Sequence, residues 1–350
     1  MKITKLEKSM VEIESSISVE ELNKYKERAL KKLGAEIAID GFRKGHIPEN
    51  ILLAKIGEMP FLNETAEMAL SDIYPVLILK NKIDAIGRPQ ITITKMAPGN
   101  PVEFKIKTAV LPECLLPDYK KIAQKINGEK QEKIEVLDKE VADAIAQIQR
   151  TKSGKVEAPQ IKKGGEKTDT PKLPELTDEF VKKMGAFKNV ADFKNKIREN
   201  IKQKKEQRAR ENKRARIIDG LLAETKIVLP EIIIATETER MFAQVKNDIS
   251  RMGLKFDKYL EHLKKTEEDL RKELAPEAEK RAKIQMILDK IIKEEKIKPT
   301  EEEIKKNVAA ILEQHRKVPN QNEQIKEENI RPYVEMVLSN QEVFKLLEKA

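Results

Sequence analysis

Val11-Glu12-Ile13-Glu14-Ser15-Ser16-Ile17-Ser18-Val19-Glu20-Glu21-Leu22 changes its period halfway, and that change decides the fold. Up to Ile17 the positions Val11, Ile13, Ser15 and Ile17 alternate with Glu12, Glu14 and Ser16, the period of a strand with one buried face, and residues 3–17 read as strand. Ser18-Val19-Glu20-Glu21 then has the form of a capping box, in which the serine oxygen accepts a first-turn amide and Glu21 reaches back. The helix it opens places Leu22, Tyr25, Ala29 and Leu33 on one face.

Outward from there, a loop flanked by Gly41 and Gly45 leads to Pro48. Proline suits the first turn of a short helix through Ile56, since its missing N–H costs nothing there. A longer apolar helix follows from about Phe61 to Lys80, and Pro75 inside it predicts a kink or a split. Two strands, roughly Gln90–Lys95 and Val102–Val110, are joined by Met96-Ala97-Pro98-Gly99-Asn100, which has the residues turns require. Residues 116–172 turn polar, with one helix near 137–149 and a Lys-, Gly-, Thr- and Pro-rich stretch at 152–172. Beyond them everything reads as helix. Asn189 or Asp192 caps a long one reaching Glu224, and further helices open at Leu229-Pro230-Glu231, Ala275-Pro276-Glu277 and Lys298-Pro299-Thr300. The fold class is therefore a multidomain chain. An α+β N-terminal domain (1–115) is followed by a linker (116–172) and an all-α elongated C-terminal domain (173–350).

Of the 350 residues, 37% are charged and 39% hydrophobic, and 69 Lys and Arg against 60 Asp and Glu leave a net charge of +9. Such a chain is drawn to polyanions, of which ribosomal RNA, other nucleic acids and anionic membranes qualify. The start MKITKLEKSMVEIESSIS lacks the apolar core of a signal peptide, and no stretch approaches 18 apolar residues, so the expectation is a cytoplasmic protein with no membrane partner. A single cysteine, Cys114, excludes an internal disulfide and reads as a small packed residue. No metal site, cofactor or catalytic set is spaced for chemistry, so the chain reads as a non-enzyme.

The loop carries the best candidate site. Gly41 and Gly45 allow Phe42, Arg43 and Lys44 to be held at the tip of a tight excursion, presenting two cations and a ring. The same residues also fit a plain connecting turn with Phe42 tucked into its own domain.

The run Ile39-Asp40-Gly41-Phe42-Arg43-Lys44-Gly45-His46-Ile47-Pro48 resembles the ribosome-binding signature of the trigger factor family of chaperones, and it follows a strand and a first helix as in that family. Residues 80–89, Val110-Leu111-Pro112-Glu113 and Leu173-Pro174-Glu175-Leu176-Thr177-Asp178-Glu179-Phe180 are similar to further parts of it. The resemblance implies an ATP-independent chaperone that docks on the large ribosomal subunit through Phe42, Arg43 and Lys44, with Gly41, Gly45 and Pro48 shaping the loop. Its implied partners are exit-tunnel protein, ribosomal RNA and unfolded or nascent polypeptides, with room for a homodimer off the ribosome. His46 stands where the family commonly has a lysine and reads as a turn residue. The family's prolyl-isomerase domain would fall between Pro159 and Leu173, where only thirteen residues lie. An independent domain needs about 50, so no isomerase activity is expected.

Two features of the helical half remain. Lys202–Arg216, KQKKEQRARENKRAR, has eight basic residues and two acidic ones. It reads as the solvated face of a long helix, for want of aromatics that would stack on bases. The alternative is a basic helical RNA-binding or ribosome-assembly factor. For clients, the chain offers Ile233, Met241, Phe242, Met252, Phe256, Tyr259, Val308, Leu312, Met336 and Phe344, most of which must be helix–helix core.

Overall fold

A computed structural model describes residues 1–37, 42, 46–129, 134–152, 176–316 and 326–350. In chain order its elements begin with β1 Lys2–Leu6, β2 Met10–Ile17, α1 Val19–Asn23, α2 Lys26–Glu36, α3 Glu49–Ile56, α4 Glu58–Lys80, β3 Ala85–Lys95 and β4 Val102–Val110. Nine helices follow among the described residues: α5 Tyr119–Asn127, α6 Asp138–Lys152, α7 Asp178–Lys182, α8 Val190–Glu224, α9 Glu231–Arg251, α10 Phe256–Leu263, α11 Glu267–Glu294, α12 Glu301–Arg316 and α13 Glu327–Lys349. The α+β start and the helical remainder agree with the sequence reading. They are arranged as two compact units, one of residues 1–116 with 225–294, the other of 117–224 with 295–350.

In the first unit an antiparallel sheet runs β1-β2-β4-β3. The expected single strand over 3–17 is in fact a hairpin. Lys8 and Ser9 at its turn take the left-handed conformation, φ 55° and 53°, without the glycine or asparagine that usually marks such a turn. The alternation is as read: Ile13 pairs with Ile106 and Ile17 with Val102, all buried with Val11 and Phe104. They pack on Ala66, Ala69 and Leu70 of α4 and on Leu22 of α1. The Ser18 capping box is formed as expected. Pro75 neither splits nor ends α4, which runs unbroken from Glu58 to Lys80. On the other face of the sheet Lys105 bridges Glu14 and Glu12, and Lys107 reaches Glu12 at 3.6 Å. The Lys105 hydrogen bond holds the Glu14 carboxyl below the ordinary range.

The segment 225–294 returns to this sheet. Ser9 Oγ donates to the Val228 carbonyl at 2.8 Å, and Ile232 at the head of α9 lies against Gly87. A Cβ on Gly87 would meet Ile232 Cδ1 at 2.6 Å, and the residue sits at φ +72°, so both space and backbone demand glycine. A groove of about 460 Å³ beside this contact is lined by Met10, Ile86, Ala109, Ile232 and Ala235 together with polar groups. α9, α10 and α11 enclose Phe242, Ile249, Phe256, Leu260 and Leu270. Pro276 does not open a helix here, contrary to expectation, but lies inside continuous α11. The true start is capped by Thr266, whose Oγ1 accepts from the Asp269 amide at 3.1 Å while Asp269 accepts from the Thr266 amide at 3.0 Å.

The second unit is helical. Val141 and Ile145 of α6 pack on Val181 of α7 and Phe193 of α8, with Phe187 edge-on to Phe193 at 5.0 Å. Asn189 Oδ1 accepts from the Asp192 amide at 2.9 Å and Asp192 from Lys188 at 3.0 Å, so both candidate caps serve α8. α5 is a helix the sequence reading left inside the linker. Asp118 caps it, and its Ile122 approaches α8 so closely that a Cβ at Gly220 would lie 3.0 Å from Cγ2. Asn127 at its end donates to the carbonyls of Leu347 and Ala350 at 2.8 and 3.0 Å. α12 and α13 bury Ile304, Val308, Ile330 and Val334 between them.

Candidate functional site

The loop between α2 and α3 springs from a fixed base. Ala29 and Gly34 of α2 and Leu52 of α3 are buried, and apolar burial of this kind does most of the fixing. Arg28 adds a 2.8 Å bond to Asp72 of α4, and Lys32 a 2.5 Å bond to Glu64. That bond holds the Lys32 ammonium above the usual lysine range, though such exposed pairs contribute little apiece. At the far end Pro48, at φ −58°, is the N-cap of α3 rather than its first residue, and its carbonyl accepts from the amides of Ile51 and Leu52.

Phe42 sits at a bend and keeps 38% of its surface exposed. His46 is exposed and Ile47 half-buried. Of the other members of the predicted site, Gly41, Arg43, Lys44 and Gly45 lie outside the described residues.

The client candidates divide by burial. Met241, Phe242, Phe256 and Val308 are core. Phe242 meets Phe256 edge-on at 5.5 Å and lies under Arg271 at 3.9 Å, while Arg271 also holds Glu239 and Glu267. Ile233, Tyr259, Leu312, Met336 and Phe344 are half-buried; Tyr259 stacks on Phe256 and Phe344 lies under Arg214. Met252 alone of the ten is open, 72% exposed. It stands with exposed Leu254 about Gly253, φ +76°, in the turn between α9 and α10, and Leu263 is exposed at the end of α10. Tyr333 and Val228 are further exposed apolar groups that helical periodicity does not single out, because only packing decides which side of a helix stays open.

Cys114 is half-buried, and burial pushes its thiol up, away from the reactive thiolate. Among the described residues no cluster of His, Cys, Asp and Glu is placed to hold a metal ion, and no helix is long and apolar enough to cross a membrane.

Two family models match the chain. The one described as bacterial trigger factor protein (TF) covers residues 1–148, and the one for the bacterial trigger factor protein (TF) C-terminus covers 189–349. The trigger factor of Halothermothrix orenii is 25% identical over 85% of this chain and 86% of its own length. That of Agathobacter rectalis is 23% identical over 85% and 83%, and that of Moorella thermoacetica 24% over 84% and 82%. Among solved structures, one from a study of promiscuous substrate recognition by the trigger factor chaperone superposes with a TM-score of 0.59 at 19% identity. The match covers 100% of this chain and 99% of that one, a likeness of fold.

Proposed function

Because the chain belongs to the trigger factor family, we propose that it is an ATP-independent cytoplasmic chaperone that docks beside the ribosomal exit tunnel and shields nascent chains without isomerising their prolines. In this reading residues 1–115 dock, 116–172 link, and 173–350 receive the client. The observation that supports docking is Phe42, 38% exposed in the segment between α2 and α3, two helices that contact α4. Arg43 and Lys44 beside it supply charge for ribosomal RNA and acidic side chains, which makes docking sensitive to salt. Gly41, Gly45 and Pro48 shape the loop. Met252 and Leu254, both exposed, offer the client an apolar surface. Many weak contacts of that kind delay aggregation and give way once the client's own core is the better partner.

Chain length supports the missing isomerase. Only residues 149–188 separate the two family matches, and an independent domain takes about 50 residues or more. The alignment with the Halothermothrix orenii relative runs over 374 residues yet takes in 85% of this chain, about 298 of 350, so about 76 of the relative's residues have no counterpart here.

Cosedimentation with ribosomes tests the docking, comparing wild type with Phe42→Ala/Arg43→Ala/Lys44→Ala at low and high salt. The variant should remain in the supernatant. Pelleting equal to wild type at both salts would refute the loop assignment. A proline-isomerisation assay on a short peptide should show no acceleration, and activity that persists through purification would refute that part.

A further inference from the structure

Lys202–Arg216 forms the middle of α8, and the structure divides its eight cations into two sets. Lys202 pairs with Glu206 at 3.9 Å. Lys205 reaches Glu140 of α6 at 2.7 Å, Arg214 reaches Glu348 of α13 at 2.5 Å, and Arg216 pairs with Glu129. Lys204, Arg208, Arg210 and Lys213 form no ion pair among the described residues. From 202 to 212 every residue but Lys205 is exposed. Apart from that Lys205 contact with α6 the helix is exposed there, between Phe193, Ile197 and Ile201 packed at one end and Ile217, Ile218 and Leu221 buried at the other.

This arrangement works against the helix. Lys204 and Arg208, like Arg210 and Arg214, are like charges four residues apart, a spacing that destabilises a helix by a few tenths of a kcal/mol per pair. Within the run Lys202–Glu206 is an offsetting pair, whereas in α11 such pairs recur along the helix: Lys272 pairs with Glu268, Arg281 with Glu277, Lys283 with Glu279 and Lys290 with Glu294. Solubility alone would be served by that pattern. The middle of α8 instead concentrates positive potential over about 14 Å of axis, at a rise of 1.5 Å per residue.

We infer that the exposed middle of α8 is a contact surface for the phosphate backbone of RNA, acting independently of the 41–48 segment. At 100° per residue the four cations point around the axis rather than along one line, which suits a flexible single strand able to wrap. Between 202 and 213 the only apolar residue is Ala209. An acidic protein partner would find no apolar centre to bury, whereas phosphate contacts need only cations and carry no sequence preference. With no aromatic residue in the run, bases are not stacked and the backbone alone is held.

The test measures anisotropy of a short, labelled, mixed-sequence single-stranded RNA with the full chain, from about 50 to 200 mM salt. The proteins are wild type, Lys204→Gln/Arg208→Gln/Arg210→Gln/Lys213→Gln, the charge-preserving Lys204→Arg/Lys213→Arg, and the loop triple alanine variant. Four phosphate contacts at about 0.7 each give a slope of log K against log salt that is shallower by about 2.8 in the quadruple variant. Its affinity falls at least about tenfold at low salt with unchanged helical circular dichroism, while the Lys→Arg variant keeps the wild-type slope and the loop variant loses at most the share of its own two cations, about 1.4. Equal slopes and affinities for wild type and the quadruple variant would overturn the inference. So would loss of RNA binding in the loop variant alone, absence of RNA binding by wild type, or displacement of the RNA by polyglutamate at equal charge, which would assign the surface to acidic polypeptides.

Discussion

Replacing Phe242 by alanine and, separately, Met252 by serine distinguishes core from the proposed client surface within one helical hairpin. Phe242 is 5% exposed, edge-on to Phe256 and beneath the Arg271 guanidinium. Truncating a buried phenylalanine costs about 3–5 kcal/mol, and the aromatic and cation–π geometry places this one toward the middle of that range. At 1.4 kcal/mol per factor of ten, a loss of about 4 kcal/mol raises local opening about a thousandfold. Hydrogen exchange is the suitable assay because a chain of two units does not unfold as one step. Amides of 238–274 should exchange about a thousandfold faster in Phe242→Ala, with the sheet residues 10–17 and 102–110 less affected. Met252→Ser, at an exposed position, should leave exchange within about 0.5 kcal/mol of wild type yet suppress aggregation of an unfolded client less well. A change of less than tenfold for Phe242→Ala would refute the packing argument. Unimpaired client protection by Met252→Ser would remove the turn at 252–254 from the client surface.

Gly220→Val drives side-chain atoms into Ile122 and Ile126 of α5 and should cost about 1–3 kcal/mol, read as faster exchange in 119–127; unchanged protection there would count against the close approach. Lys8→Asn relieves a left-handed residue in the β1–β2 turn and should raise the thermal midpoint through about 0.5 kcal/mol or more of stabilisation, whereas a lowered midpoint would contradict the turn geometry. The carboxyls of Asp269 and Glu303 are held below their usual range chiefly by hydrogen bonds from Thr266 and Thr300. Their stabilisation is complete above the unfolded carboxylate pKa and is lost as pH falls through the lowered folded values. Thr266→Ala/Thr300→Ala should therefore lose helical circular dichroism at a higher pH on acidification than wild type, and identical acid transitions would refute the caps' role.

The N-terminal fold was legible because its period and caps are local. Val11, Ile13 and Ile17 face the core as alternation requires, and Ser18 caps as its box requires. The hairpin at residues 7–9 was hidden because Lys8 and Ser9 occupy a conformation that glycine or asparagine normally advertises. Pro276 misled for the opposite reason: a strong breaker sits within a helix, while the weaker signal Thr266-Glu267-Glu268-Asp269 marks the start. At the candidate site the loop was visible by composition, and the exposure of Phe42 was not, since it depends on what lies beneath the ring. Which apolar residues of α9–α13 remain open depends on partners distant in sequence, as the burial of Phe242 beside the exposure of Met252 makes plain.

The first unit is interrupted by residues 117–224, 108 positions that belong to the second. Translation delivers about 5–20 residues per second, so the sheet face carrying Met10, Ile86 and Ala109 waits about 6–25 seconds after its own synthesis before Ile232 is made. In that interval the newly made chaperone presents, on its own surface, the kind of unpaired apolar patch that a nascent-chain chaperone shields.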